Sequence, residues 1–246
     1  MAGKSTAFAL IGDRYHNADY IRTALGKTLV RELGLTIDFT DEVTLLNADD
    51  LHGYQLLILF RDAMQWPNGY GATPAAEIIS VPPVPELEQV VVEWMTPAQG
   101  QAVQAFVAQG GAALLYHNVT YIAAANPSFR EVLGAATEGH PPVRPFKVQI
   151  TNPTHPITRG VSDFVVTDEQ HYLVYDLAPE HLLMRSVNED GLTYKALGAS
   201  CEAGWAYDYG QGRVCYLAPG HTIPALWNPA YVQIQQNAVR WLLRQL

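Results

Sequence analysis

Three five-residue runs, Ala7–Ile11, Leu56–Phe60 and Ala112–Tyr116, carry no charged residue and alternate with no polar face. A strand that is apolar on both sides has to be covered on both sides. That is the situation of a central strand in a parallel sheet between two helical layers. The intervening sequence supplies such layers. Ile21, Leu25, Leu29 and Leu33 recur every four residues and predict a helix from about Ala18 to Leu33, stopped by Gly34. Leu35–Phe39 reads as a second strand, and Asn47-Ala48-Asp49-Asp50 as a short capped turn. Thr96-Pro97-Ala98-Gln99 combines an N-cap, a proline at the first helical position and a capping box. Val103, Phe106 and Val107 are the core-facing positions of the helix that follows. A further helix is predicted over Pro127–Leu133.

From Pro145 the pattern turns to strands, at Phe146–Ile150, Phe164–Thr167, His181–Ser186 and Arg213–Leu217. A last helix runs from about Pro229 to the C-terminus, its buried stripe marked by Tyr231, Ile234, Ala238, Trp241 and Leu242. Alternating strands and helices imply an α/β protein with a mostly parallel sheet. One stretch, residues 61–95, breaks the rhythm. Pro67, Pro74, Pro82, Pro83 and Pro85 forbid a long helix or a central strand there. It reads as an insertion or long active-site loop, with Val90–Val92 adding a short strand. No interdomain linker, internal repeat or low-complexity segment is visible, so residues 1–246 are expected to form a single domain.

Charge narrows the partners. The formal net charge is −9, with 24 acidic against 15 basic residues, and Lys and Arg are scattered singly. Phosphate neutralisation along a nucleic acid has no source in such a chain. A neutral small molecule or a metal cation suits the balance better. The apolar run after Met1–Thr6 is too short for a signal-peptide core. No run approaches the roughly 20 residues of a membrane span. A cytoplasmic protein without membrane contact is expected. Cys201 and Cys215 read as ordinary thiols of a reducing compartment. Gly-x-Gly-x-x-Gly is missing after the first strand, so no nucleotide cofactor is expected.

Four segments, in order, resemble one family. They are Gly110-Gly111-Ala112-Ala113-Leu114-Leu115-Tyr116-His117, then Asn152-Pro153-Thr154-His155-Pro156-Ile157-Thr158-Arg159-Gly160. Thr167-Asp168-Glu169-Gln170-His171-Tyr172 follows, with one residue inserted or shifted before the tyrosine, and then Gly212–Thr222 around Gly220-His221-Thr222. Tyr15-His16 after the first strand and the terminal Asn237-x-x-x-Trp241 agree as well. Together they resemble the trehalose-utilization (ThuA-like) family of the class I glutamine amidotransferase-like superfamily. The resemblance spans most of the chain apart from residues 61–95. It implies a flavodoxin-like three-layer α/β sandwich and a role in carbohydrate metabolism, on keto sugars made by a partner dehydrogenase.

An amidotransferase needs a thiolate on a sharp turn after a central strand, paired with a histidine. Here that elbow carries His117. Cys215 falls inside a predicted apolar strand, and Cys201 in a loop candidate where it is expected to be exposed. His221 is retained, but the glutamate expected two residues later is Ile223. Glutamine hydrolysis by the usual route is therefore not expected.

What remains is a set of polar groups at strand ends, where open α/β sheets bind ligands. His16, His117 and His221 each follow a predicted strand, and Asp168, Glu169 and His171 follow the strand ending near Thr167. Imidazole and carboxylate are ligands for Zn²⁺, Mn²⁺ or Fe²⁺. His16, His117, His171 and His221 are the metal-ligand candidates, and His221, Glu169 and His117 the catalytic ones. Tyr15, Asp168, Tyr172 and Trp227 are the substrate-binding candidates. For every aromatic among them, as for Tyr116 and Trp205, core packing is the default alternative. Asp168 equally suits a turn or cap. His140 either lines a pocket or shapes the loop before Pro141-Pro142, His155 suits a structural turn, and His52 and His181 look incidental.

Three functions compete. One is a metal-assisted hydrolase, lyase or isomerase acting on a keto sugar or glycoside. Another is a non-catalytic sugar-binding or regulatory module that has lost the nucleophile. The third is an amidotransferase using Cys201. The sequence leaves open the substrate, and a homo-oligomer built on residues 61–95 is compatible with it.

Overall fold

The computed structural model describes residues 4–67 and 90–246. Strand β1 (Ala7–Ile11) leads through α1 (Ala18–Leu25) and a π-helical segment (Gly26–Arg31) to β2 (Ile37–Thr40). Then come α2 (Ala48–Leu51), β3 (Leu56–Phe60), β4 (Met64–Gln65) and β5 (Val92–Glu93). The next elements are α3 (Pro97–Ala108), β6 (Ala112–Tyr116), α4 (Val119–Ala125), α5 (Pro127–Leu133), β7 (Ala135–Gly139) and β8 (Arg144–Ile150). The chain continues with β9 (Phe164–Asp168), β10 (Tyr172–Tyr175), β11 (Leu182–Val187), β12 (Ser200–Tyr209) and β13 (Gly212–Leu217). It ends in α6 (Ile223–Leu226) and α7 (Pro229–Leu242).

Among the described residues the main sheet has nine strands, in the order β2-β1-β3-β6-β13-β12-β11-β8-β9. The pairs from β2 to β13 are parallel. Those from β13 to β9 are antiparallel. The sheet is thus parallel through its core and extended on one side by the strand-rich stretch that begins at Pro145. Strands β1, β3 and β6 are buried at every residue, as their uniformly apolar sequences require. Each large aliphatic side chain buried there contributes about 1.5–3 kcal/mol. One continuous apolar core joins both halves of the sheet.

Capping follows the sequence closely. The Thr96 side chain accepts from the Gln99 backbone, and the Gln99 side chain returns the bond to Thr96. Asn17, Asn126 and Asn228 cap α1, α5 and α7. Gly134 ends α5 at φ 77°, a conformation that favours glycine.

Several expectations need correction. The helix predicted to Leu33 is α-helical only to Leu25 and then widens to π geometry. Apolar residues spaced strictly by four drift about 40° per step around an α-helix, and the wider turn keeps Leu29 in the core. Cys201 does not lie in an exposed loop. It is buried within β12, a ten-residue strand whose alternation is lost at Gly204, where five residues from Ala203 to Tyr207 are all buried. Strands β7 and β10, which pair with each other outside the main sheet, and helix α4 carry no periodic signal that announced them. The last helix stops at Leu242 rather than at the C-terminus. Within the proline-rich segment, β4 pairs antiparallel with β5, which begins at Val92. Pro74, Pro82, Pro83 and Pro85 lie outside the described residues. No helix among the described residues is long and apolar enough to cross a membrane.

Candidate functional site

The C-terminal ends of β1, β3, β6 and β13 meet the β9–β10 connection around a single cavity of about 360 Å³. This volume is within the range of small-molecule sites. Tyr15, His16, Asp62, Asn118, Tyr121, His140, Glu169, His171 and His221 line it, together with Met64.

His16 sits in the loop after β1. The turn is organised by Asp13, whose Oδ1 accepts the backbone N–H groups of Tyr15 and His16, both at 2.8 Å. The same oxygen lies 3.0 Å from His16 Nδ1. Asp13 Oδ2 accepts from the backbone of Asp62 at 2.9 Å and from Asn118 Nδ2 at 2.7 Å. One buried carboxylate therefore fixes the loops after β1, β3 and β6. Burial pushes its pKa up, but the contact with His16 and the amides of Asp62 and Tyr15 outweigh that and hold it below the usual value. With a proton held on Nδ1 by Asp13, His16 presents Nε2 as a lone pair.

His117 occupies the turn directly after β6, at φ 51°. Left-handed backbone at a non-glycine residue is strained and has to be held by its surroundings. Strand β13 and its exit do this. Leu217 O accepts the His117 N–H at 2.9 Å, Tyr216 Oη donates to His117 O at 2.7 Å, and Ala218 O accepts from His117 Nδ1 at 2.8 Å. The last bond leaves Nε2 as the free nitrogen of this ring.

Asp168, at the end of β9, is fully buried. It accepts backbone N–H groups from Glu169 at 2.7 Å, His221 at 2.9 Å and Gly220 at 3.2 Å. It thereby ties the β9–β10 connection to the segment after β13. Its role is to orient Glu169 and His221, and its side chain does not line the cavity.

These supports bring Glu169 Oε2 into the middle of a ring of imidazoles. His221 Nδ1 lies 3.2 Å away, His117 Nε2 3.4 Å, His171 Nε2 3.5 Å and His140 Nε2 3.6 Å. His16 Nε2 is 3.0 Å from His221 Nδ1. Yet His117 Nε2 and both ring nitrogens of His171 are buried without a hydrogen-bond partner. Each such orphan costs about 1–3 kcal/mol.

Burial holds His117 and His171 below the ordinary imidazole pKa, against the pull of Glu169. Glu169 stays ionised. Burial opposes its charge, but contacts with His117, His171 and His221 keep its pKa far below the usual range. The bond from His221 to Glu169 raises the pKa of His221. The Nε2 lone pair of His117 faces this carboxylate, an unfavourable meeting unless a cation lies between them. The donor atoms of His16, His117, Glu169 and His221 all fall within 4.8 Å of one another, and those of His140, Glu169 and His171 form a second such group. Three imidazoles with one carboxylate are a fitting donor set for Zn²⁺, Mn²⁺ or Fe²⁺.

The structure thus brings His16, His117, Glu169, His171 and His221 together, with Tyr15 at the rim. It places Tyr172 and Trp227 elsewhere. Tyr172 is fully buried, stacks on Tyr194 and donates to Gly198 O. Trp227 packs beneath Lys27 and donates to Ala24 O. Core packing claimed both rings. His140, left open between two roles, lines the cavity. Asp13, Asp62 and Asn118 belong to the site and were not singled out. The rule that pointed to His16 and His117, polar groups just past a buried strand, applies equally to them. Burial and the charge of Asp13 push Asp62 up to about 7.

The elbow therefore carries an imidazole, and the thiols lie elsewhere. Cys201 and Cys215 are both buried, and burial pushes Cys201 up to about 12. Neither lines the cavity.

The profile of the ThuA family, described as trehalose utilisation, matches residues 12–242. A ThuA-like protein from Bacteroides uniformis shares the fold at a TM-score of 0.67 and 18% identity, covering 98% of this chain and 92% of that one. A ThuA-like protein from Parabacteroides merdae does so at 0.69 and 15%, covering 97% and 90%. The chain also resembles 32% of a β-galactosidase from Rahnella sp. R3, at a TM-score of 0.58 and 15% identity over 98% of its own length. No curated protein matches it in sequence.

Proposed function

Because the chain belongs to the ThuA family of trehalose utilisation, we propose that it is a carbohydrate-metabolising enzyme in which a divalent transition metal assists the hydrolysis, elimination or isomerisation of a keto sugar or glycoside. The observation that carries this reading is the ring of imidazole nitrogens around Glu169 Oε2, with His117 Nε2 buried and unpartnered. When bound, the metal supplies a Lewis acid that polarises a carbonyl oxygen. His16, His117, His221 and Glu169 are the residues that would hold it.

The chain's own groups do the rest. Asp13 and Ala218 O fix His16 and His117 in the tautomers that leave Nε2 free. Asp62, on the same cavity and titrating at about 7, can take a proton from a carbon next to a ketone and return it to a leaving group. Tyr15, exposed at the rim and edge-on to Trp66, offers a face for a sugar ring. The acidic chain and the narrow cavity suit a neutral small sugar.

The test is elemental analysis of tag-free wild type and His221→Ala, followed by incubation with keto-glycosides and their unoxidised parents. A stoichiometric metal absent from the variant, with turnover of the keto form alone, is the expected result. No metal after exposure to Zn²⁺, Mn²⁺ and Fe²⁺ overturns the metal reading. A bound sugar recovered unchanged after prolonged incubation makes the protein a binding module instead.

A further inference from the structure

The metal reading above accounts for four donors, but the cavity holds six. A tetrahedral ion surrounded by His16, His117, His221 and Glu169 has its protein ligands complete. His140 and His171 approach the same carboxylate oxygen, Oε2, and they do not fit the role of spectators. His171 is 2% exposed, and neither of its ring nitrogens has a hydrogen-bond partner. A buried imidazole left unsatisfied at both nitrogens is unfavourable. Its Nε2 is aimed at Glu169 Oε2, 3.5 Å away.

His140 matches it from the opposite strand end. Its Nδ1 lies 3.0 Å from Pro141 O, which fixes the proton on that nitrogen and leaves Nε2 as a lone pair. That lone pair is 3.6 Å from the same Oε2. The two rings stack at 4.8 Å and 14°, so their Nε2 atoms enter the cavity side by side. Glu169 is the one residue common to both donor groups. Carboxylates in that position bridge ions about 3.5–4 Å apart in two-metal hydrolytic sites.

We infer that the cavity is a two-metal centre, in which His140 and His171 hold a second divalent transition ion and Glu169 is shared between the two. The inference rests on the reading of the first group as a metal site. The second ion has only three protein donors, against four for the first. It would thereby keep coordination positions available for a water or a sugar oxygen from the cavity.

The experiment loads purified full-length protein with Zn²⁺ or Mn²⁺, removes loosely held ions by gel filtration and counts bound metal per chain. Wild type is compared with His140→Ala, His171→Asn and His221→Ala, with circular dichroism checking that each remains folded. His140 is half-buried at the cavity rim, so His140→Ala is the variant least able to disturb the core. The expected result is two equivalents in wild type and one in His140→Ala, with an exchange-coupled Mn²⁺ signal in electron paramagnetic resonance that the same substitution converts to an isolated-ion spectrum. A single equivalent in wild type, with an uncoupled Mn²⁺ spectrum, overturns the second site while leaving the first reading intact. No bound metal at all overturns both.

Discussion

Gly220 passes so close to His117 that a Cβ built on it would lie 2.6 Å from the His117 Cβ and 2.9 Å from Phe60 Cζ. Residue 117 cannot retreat, because its backbone N–H and C=O are both bonded to β13 and its Nδ1 donates to Ala218 O. Gly220→Ala is expected to displace the imidazole, weakening metal binding and destabilising the fold by about 1–3 kcal/mol, as overpacked cores are. Urea denaturation and a chelator-competition titration read the two effects. Unchanged affinity would show that His117 is not a ligand.

Asp13 holds Nδ1 of His16, a proposed metal ligand, and touches none of the other proposed ligands directly. Asp13→Asn keeps the shape and one acceptor but removes the charge that fixes the Nδ1 proton. Metal affinity is expected to fall by about 10-fold or more, the usual consequence of losing an outer-shell partner. A titration against a chelator of known affinity measures it. An unaltered affinity would place His16 outside the coordination sphere.

Asp62 makes stability depend on pH. Its folded pKa, about 7, is raised above the ordinary 3.8, so the folded state holds its proton more tightly than the unfolded chain does. Below the unfolded value both states are protonated and no penalty exists. The penalty grows as pH rises between the two values and is complete above about 7. In metal-free protein, Asp62→Asn is therefore expected to be the more stable form, by an amount that increases from pH 4 to pH 7 and then levels off. The ceiling is roughly 4 kcal/mol at 1.36 kcal/mol per pKa unit. Thermal melts across that range give the profile, and a constant gap between the two proteins would refute the assignment.

Cys201 and Cys215 are buried with raised pKa values. Neither is expected to react with iodoacetamide at pH 8 in the native protein, and both are expected to react after denaturation. Intact-mass spectrometry counts the adducts. Rapid labelling of Cys201 in the folded state would reopen a thiol-based amidotransferase mechanism.

The parts legible in the sequence are those set by local physics. Uniformly apolar runs announced β1, β3 and β6, and the capping box at Thr96 marked the start of α3 to the residue. The strand-end rule led to His16, His117 and His221. What stayed hidden depends on tertiary register. Strand β12 is buried at every residue from Ala203 to Tyr207, with Gly204 among them, so its two-residue period is interrupted. Tyr172 turns from the cavity because β10 pairs with β7 through a register shift beside it. His140 could not be placed until that same pairing set it against Glu169. Asp13 and Asp62 were hidden by short-range ambiguity, since an aspartate after a strand is more often a turn former than a hub.

His16 and His221 touch across 205 positions of sequence. Nothing local brings them together: β1 and β13 become neighbours of one cavity only after β3 and β6 have been laid between them. A donor set that joins His16 to His221 closes only once β3 and β6 lie between β1 and β13. If that set holds an ion as proposed, a chain misfolded or cut short before His221 would lack the complete site.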